Sequence, residues 1–442
     1  MLLYTRGILL LFSLTQLSAV NAADEKKQTP PKLTAQNYAA PQLDEPTGEL
    51  TLPQALALAL LKNPELAAYS DEIRAQEAAI LQAGLLPNPV FDANASNFGN
   101  NIIRGFDGDV VTLQLSQLIE LGGKRAARVT TAQLSKQLAD WDYETKRVDV
   151  FTLTSLAFID VLSAQQRLAL TQQMQSLAQQ MLASTSARVQ AGKVSPVEES
   201  KAKIAVASAQ IEFQRSQREL AATRNRLAAT WASTKPRFEQ VKGSLENEQA
   251  PPDLDTLLQR ITGNPDLARW ATEITQRQSL IALEESKAIP DVTATVGGSK
   301  YLGPNDYAML VGFSVPLPVF DRNQGRIKEA EHRLAKAENE KESAEIRIQT
   351  ALNTAYQRLS TAFAEANMLH RDILPNAESA YNAATIGYRY GKFGILDVLD
   401  AQRTLFGTQN QHLQASAEYH KALAEVERLI GGGLNRTNKA PN

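Results

Sequence analysis

The 442-residue sequence predicts an internally duplicated membrane protein of mixed α/β class, built from long α-helices and four β-strands. Three observations predict this class: landmarks recur about 200 residues apart, two helical patterns are very long, and four segments alternate polar and apolar residues. Each half should therefore contain a helix, a β-hairpin and a long helical hairpin in the same order. The matching landmarks are "KNPELA" at 62–67 with "GNPDLA" at 263–268, and "AGKVSPVE" at 191–198 with "YGKFGILD" at 390–397.

The N-terminal residues differ from the repeats. Arg6 precedes the apolar run "GILLLFSLTQLSAV" and small residues follow it, so residues 1–23 are typical of a signal peptide cleaved after Ala22 or Ala23. The first half of the remaining chain is predicted as an extended arm at 24–49 and a first repeat at 50–232, with a β-hairpin at 89–118 and a helical tip near 192–195. The second half is predicted as a connecting equatorial segment at 233–252, a repeat at 253–431 with a β-hairpin at 290–317 and a tip near 391–394, and a C-terminal tail at 432–442.

The strand segments alternate with a period of two, which predicts strands with one apolar face. In the first repeat Val111, Leu113 and Leu115 alternate with Thr112, Gln114 and Ser116. In the second repeat the apolar face is predicted to carry Tyr307, Met309, Val311, Phe313 and Val315, opposite Ala308, Gly312 and Ser314.

Two hairpins in one chain leave open sheet edges, which a bilayer does not tolerate because unpaired backbone groups are not solvated there. Three chains would supply twelve strands, an even number within the range of outer-membrane barrels. A homotrimer with a twelve-stranded β-barrel in outer-membrane lipid is therefore expected, and a soluble two-hairpin sandwich capped by coiled coils is the alternative. An interfacial aromatic girdle would be formed by Phe98, Phe106, Tyr301 and Tyr307.

The helical patterns at 123–190 and 324–388 are each about 100 Å long at 1.5 Å per residue, too long for a compact globule. In the second, apolar or small residues recur at steps of three and four from 330 to 373, including 351, which predicts a heptad-like seam with one stutter. The sequence has no cysteine and no second run of about 18 apolar residues. Disulfides, a lipidated cysteine and membrane-spanning helices are therefore not expected.

Three stretches resemble the TolC-like outer-membrane factors, most closely their cation-efflux branch. They are "LPNP" at 86–89, "QLIELGGKR" at 117–125 and "YGKFGILDVLDAQRTL" at 390–405. The resemblance implies a trimeric outer-membrane barrel with a long periplasmic α-helical tunnel, docked on a periplasmic adaptor and an inner-membrane RND pump. It implies a passive efflux channel, for divalent heavy-metal cations in this branch, with organic drugs or other small molecules as the alternative cargo.

The turns between the long helices carry helix-stop and helix-start signals. Gly192 suits a left-handed C-cap, Ser195 an N-cap and Pro196 the first helical position, and Glu198 would complete a Ser-x-x-Glu capping box. The resemblance implies that the adaptor docks on these tips, through Gly192, Lys193, Ser195, Gly391, Lys392 and Gly394.

Two acids, Asp397 and Asp400, begin the last long helix. Acids in a first turn are stabilised by the helix dipole, so capping explains Asp397 and Glu198 as well as any function does, but Asp400 lies beyond that turn. Positions 397, 400, 404, 408 and 411 form a polar stripe that is expected to face water. The resemblance implies that Asp397, Asp400 and Glu198 form a cation-attracting ring at the periplasmic mouth, with Tyr388 beside the gate.

One position departs from the family pattern. Some members have an arginine where this chain has Phe393, and that arginine ties the gate shut through an acid. The same latch is therefore not expected here, and Arg389 and Lys392 are the candidates to substitute for it.

Other classes of function find little support. The net charge of −2 gives no electrostatic case for nucleic acid. The four histidines lack metal-ligand spacing, and no nucleophile elbow or phosphate loop occurs, so no catalytic residue, resident metal or cofactor is expected. A periplasmic adaptor would also use a helical hairpin, but adaptors have one hairpin where this sequence has two.

Overall fold

The computed structural model describes residues 44–96, 110–302 and 305–434. The predicted signal peptide, most of the arm, Phe98, Phe106 and residues 435–442 lie outside this part. Its helices are α1 Leu52–Lys62, α2 Pro64–Ala83, α3 Lys124–Gln190, α4 Pro196–Ala229, α5 Leu254–Arg260, α6 Pro265–Lys287, α7 Gln324–Met368, α8 Leu374–Arg389 and α9 Ile395–Leu429. Its strands are β1 Glu49–Thr51, β2 Val90–Ser96, β3 Val110–Ile119, β4 Gln240–Lys242, β5 Val292–Tyr301 and β6 Asp306–Ser314.

The same asparagine arrangement occurs once in each repeat. Asn63 begins α2 by accepting backbone N–H bonds from its first turn, and its side-chain amide donates to the Thr230 carbonyl at 2.9 Å. Asn264 caps α6 in the same way and donates to the Leu429 carbonyl at 2.9 Å. Each asparagine is buried and is followed by a proline at the first helical position. One side chain in each repeat thus joins the start of a short helix to the end of the last long helix.

The four longer strands form one antiparallel sheet in the order β2-β3-β5-β6. Val111, Leu113 and Leu115 pair with Lys300, Gly298 and Val296, which pair in turn with Tyr307, Met309 and Val311. The predicted apolar residues of both hairpins therefore lie on one face. Strand β6 ends at Ser314, so Val315 lies just beyond it. The strand does not continue because prolines 316 and 318 have no N–H group to donate to a neighbouring strand.

The opposite face of the sheet is mainly polar. Hydroxyl pairs cross it between β3 and β5, at 2.9 Å for Thr112 with Ser299 and 3.0 Å for Ser116 with Thr295. Leu310 also lies on this face. The outer edges of β2 and β6 have no partner strand within the described chain.

Helix α3 is the longest element, with 67 residues, and it contacts α1, α2, α4, α6 and α9. It contains an 18-residue window with a mean hydropathy of 1.3, of which 39% is buried, and this length and composition would suffice to cross a membrane. The expectation that no second apolar stretch exists was therefore wrong. Helix α3 packs against five other helices, and part of this window is buried.

The second long helix is helical over 324–389, close to the predicted 324–388, but a π-helical turn replaces part of its α-helical hydrogen bonding. Helix α7 ends at Met368, a π-helical turn spans Leu369–Ile373, and α8 follows. Pro375 explains this turn, because it cannot donate to the carbonyl four residues earlier and its ring crowds that carbonyl. Ala351 and Ile373, both placed in the seam by the sequence, are exposed, and Leu352 is buried instead, where the stutter shifts the phase.

The last residues of the predicted arm are packed rather than loose. Strand β1 pairs in parallel with β4 of the connecting segment. The buried carboxylate of Glu45 accepts bonds from the Trp231 indole at 3.3 Å and from the Arg237 backbone N–H at 2.5 Å. Residues 44–51 therefore hold the connecting segment against the ends of the repeats.

We predict that Asn264→Ala lowers the free energy of unfolding by about 2–4 kcal/mol, the sum of a lost helix cap and a buried carbonyl left without a donor. Asn264→Ser should keep a capping oxygen and lose the bond to the Leu429 carbonyl, with an intermediate effect. Thermal unfolding of the detergent-solubilised protein measures the change, with the exposed Asn247→Ala as the control. Equal midpoints for Asn264→Ala and Asn247→Ala would contradict the assigned role.

Candidate functional site: the helical tips and the acids beside them

The two tips have the same backbone hydrogen bonding. Gly192 and Gly391 have φ angles of +68° and +73°, the left-handed region that glycine adopts without strain. The N–H groups of Lys193 and Lys392 donate to the carbonyl five residues earlier, at 2.9 and 2.8 Å. This bond is the mark of a Schellman C-cap. Both lysines and both glycines are exposed at the turn.

The helix starts beyond the tips differ from each other. Ser195 caps α4 by accepting the Val197 N–H at 3.3 Å, whereas the Gly394 N–H at the start of α9 donates to the Asp397 carboxylate at 2.8 Å. Asp397 therefore caps its helix. The capping box predicted between Ser195 and Glu198 is not formed. Glu198 is half-buried, and its Oε2 is shielded from solvent with no hydrogen-bond partner among the described groups.

Glu199, which the sequence analysis did not single out, makes two side-chain contacts near the first tip. Its carboxylate accepts bonds from Lys203 at 2.9 Å and from the Ser186 hydroxyl of α3 at 3.1 Å. These two bonds, the one from Lys203 first, lower the pKa of Glu199 below its ordinary value. The spacing of Glu199 and Lys203 on one helical face was the available sequence signal.

Tyr388 lies buried between the two helical hairpins, with 3% of its surface exposed. Its hydroxyl is 3.2 Å from the Thr185 hydroxyl. The Arg188 guanidinium lies 4.3 Å from the centre of its ring and donates to its carbonyl at 2.9 Å. We call this contact the Arg188–Tyr388 joint. It connects α3 of the first repeat to α8 of the second near both tips, while Arg389 and Lys392, the residues considered for such a tie, are exposed.

Phe393 packs within its own turn. A Cβ atom on Gly387 would overlap the Phe393 ring, so that glycine makes room for it. Gly387 is buried and Phe393 is 49% exposed. At this position the chain has an aromatic contact inside one hairpin instead of a charged contact across hairpins.

The polar stripe on α9 is exposed at four of its five positions. Asp397, Asp400, Thr404 and Gln411 are exposed, but Thr408 is buried, which corrects the expectation that all five face water. Asp400 has no hydrogen bond or ion pair with any group in the described ranges. The part of the chain that the structure describes holds no cluster of three or more His, Cys, Asp or Glu side chains suited to a metal ion.

A single sheet with one apolar face, joined to two helical hairpins that end in matching glycine tips, defines a TolC-like channel subunit. The chain belongs to the outer membrane efflux protein family, whose model matches residues 55–233 and 257–432. It is an outer-membrane protein whose long helices lie in the periplasm. The role of this family is transport, which is not enzymatic.

Individual relatives cover most of the chain. It is 35% identical over 387 residues to the cobalt-zinc-cadmium resistance protein CzcC of Cupriavidus metallidurans, covering 88% of this chain and 91% of that protein. It is 26% identical over 317 residues to the nickel-cobalt-cadmium resistance protein NccC of Alcaligenes xylosoxydans xylosoxydans, covering 72% and 71%. The crystal structure of CusC superposes with a TM-score of 0.72 at 16% identity, over 86% of this chain and 92% of that one, which shows the shared fold.

We predict that Asp397→Ala and Asp400→Ala differ in their effect on the start of α9. Asp397→Ala removes an acceptor and a first-turn charge, worth about 0.3–1 kcal/mol, so amide hydrogen exchange at residues 394–398 should quicken. Asp400→Ala should leave exchange there unchanged, because it lies beyond the first turn. Mass spectrometry after exchange measures both, and equal protection in the two variants would contradict the capping role.

Proposed function

We propose that this chain is the outer-membrane channel of a tripartite RND-type efflux system and passively exports divalent heavy-metal cations. The observation that carries the proposal is the 35% identity to CzcC along nearly the whole of both chains. The names of NccC and of the nickel and cobalt resistance protein CnrC, each 26% identical, agree in naming divalent metals. The pyoverdine export outer membrane protein OpmQ of Pseudomonas putida is 24% identical and its name gives an organic cargo, so organic cargo is the alternative that the experiments below must distinguish.

The working unit in this proposal is a homotrimer. The free edges of β2 and β6 would pair between copies, and three four-stranded sheets would close a twelve-stranded barrel. Met309, Val311 and Phe313 are each at least 70% exposed in the single chain, as lipid-facing side chains would be. Residues Val197, Ile204 and Ile211 support the same arrangement, because they form an exposed apolar row on α4 at heptad spacing, which suits a helix of the next copy.

The acids beside the tips supply the cation preference in this proposal. Three copies of Asp400, with Asp397 and Glu198 nearby, would surround one axis and attract cations to a constriction, where the field is focused. Asp397 also caps its helix, so Asp400 is the acid whose role is least explained by structure. Tyr388, buried in the joint, would set the spacing of the hairpins instead of contacting the cargo.

The tips are the proposed docking surface for a periplasmic adaptor. Gly192, Lys193, Ser195, Gly391, Lys392 and Gly394 lie at the turns between long helices, and their exposed backbone and cationic side chains are available to a partner. The matching backbone geometry of the two turns would let one type of adaptor hairpin bind both.

A resistance assay tests the transport role. Deletion of the gene from a host that keeps the adaptor and pump should reduce resistance to zinc, cobalt and cadmium, and the wild-type gene should restore it. Resistance to organic drugs should not change. Loss of drug resistance with unaltered metal resistance would favour the alternative cargo and contradict the proposal.

Ion selectivity in planar bilayers tests the role of Asp400. Asp400→Asn keeps the size of the side chain and removes up to three negative charges from a trimer, so the preference for cations over anions should fall and block by divalent cations should weaken. Asp400→Glu, which keeps the charge, is the matched control. Unaltered selectivity and block in Asp400→Asn would show that the acid does not act on permeating ions.

A further inference from the structure

Two histidines far apart in the sequence meet in the second helical hairpin. His370 lies in the π-helical turn between α7 and α8, and His412 lies on α9. Their rings face each other with centroids 5.4 Å apart and planes inclined by 27°. His370 is exposed and His412 is half-buried. The sequence analysis considered histidine spacing within one helix and therefore missed a pair formed between two helices.

Oxygen donors surround His412. It lines a cavity of about 170 Å³ between α3, α9 and the connecting segment, together with Gln409 and Glu246. Gln409 lies three residues before His412 on the same helical face, and its Oε1 is buried with no hydrogen-bond partner among the described groups. Glu248 is already occupied, since its carboxylate accepts the Ser416 hydroxyl at 2.6 Å.

The distance between the two rings suits a shared metal ion. A neutral imidazole keeps a free lone pair, which a metal ion requires. Two imidazoles bound to one tetrahedral zinc ion, at about 2.0–2.1 Å from nitrogen to metal, place their ring centres roughly 5 Å apart. The observed separation of 5.4 Å is close to this value, and because the two ring planes are nearly parallel, one ring must turn before both nitrogens point at one ion.

We propose that His370 and His412 form a two-imidazole site for a borderline divalent transition cation such as Zn²⁺, Co²⁺ or Ni²⁺. Gln409 Oε1 is the third donor, and water completes the coordination. Imidazole favours these ions over Mg²⁺ and Ca²⁺, which prefer oxygen donors. The exposed His370 side chain is free to turn its nitrogen toward the shared ion. Two protein nitrogens and one amide oxygen make a site of modest affinity, which suits reversible occupation.

An ion in this site would connect the π-helical turn to α9. In that turn the second long helix departs from the α-helical hydrogen-bond pattern, so the ion would reinforce the hairpin at this irregular turn. The proposal rests on the side chains named above and does not depend on which cargo the channel carries.

Metal titration of the chelator-treated, detergent-solubilised full-length protein tests the site. We expect one Zn²⁺ or Co²⁺ per chain, a visible d–d absorption for bound Co²⁺, and a higher thermal unfolding midpoint with Zn²⁺. His370→Gln and His412→Gln should each weaken binding at least about tenfold, because each removes one of two nitrogen ligands. His332→Gln, a solitary exposed histidine on α7, is the matched control and should bind as the wild type does.

Three results would overturn the proposal. One is no binding of Zn²⁺ or Co²⁺ to the wild type at micromolar concentrations. Another is unaltered affinity in His370→Gln, a variant at an exposed position whose oligomeric state by size-exclusion chromatography serves as the folding check. The third is displacement of Zn²⁺ by an equal concentration of Mg²⁺, which would locate the ion on surface carboxylates.

Discussion

The seven-residue spacing of small buried side chains in the first helical hairpin is the constraint on which the rest of the structure depends. A helix about 100 Å long cannot share one compact core, so it must be held by the same contact repeated along its length. On α3 that contact is made by Ala164, Thr171, Ala178 and Thr185, and on α4 by Ala202, Ala209, Ser216 and Thr223. The Thr171 and Ser216 hydroxyls, 2.7 Å apart, fix the register of the two antiparallel helices.

Register along the helices determines where the chemistry lies. Because one Schellman turn joins α3 to α4, a fixed register brings Ser186 of α3 and Glu199 of α4 within hydrogen-bond distance near the tip. The Arg188–Tyr388 joint then aligns the first hairpin with the second, and the asparagine ties hold the opposite ends of both. Asp397 and Asp400 are presented next to the tips as a result, on a helix whose other face is buried against α3 and α7.

Local signals in the sequence predicted local structure well. Glycine before lysine predicted both left-handed turns, and alternation predicted the apolar face of the sheet. The departures from prediction have physical causes: Pro375 interrupts the α-helical hydrogen bonding of a helix whose seam continues past it, and Thr408 is buried by a neighbouring helix that no local pattern identifies. Arg188 and Tyr388 are separated by 200 residues, and the two histidines lie on different helices, so only the fold brings either pair together.

The π-helical turn has a mechanical consequence for the duplicated architecture. At the matching place in the first repeat, residues 170–174, helix α3 stays α-helical and will bend as a stiff rod. In the second repeat the π-helical turn between α7 and α8 occupies this place, and bending there disrupts fewer α-helical hydrogen bonds. Two hairpins that descend from one ancestral unit therefore differ in compliance, and a sideways force applied at both tips would be absorbed mainly by the second.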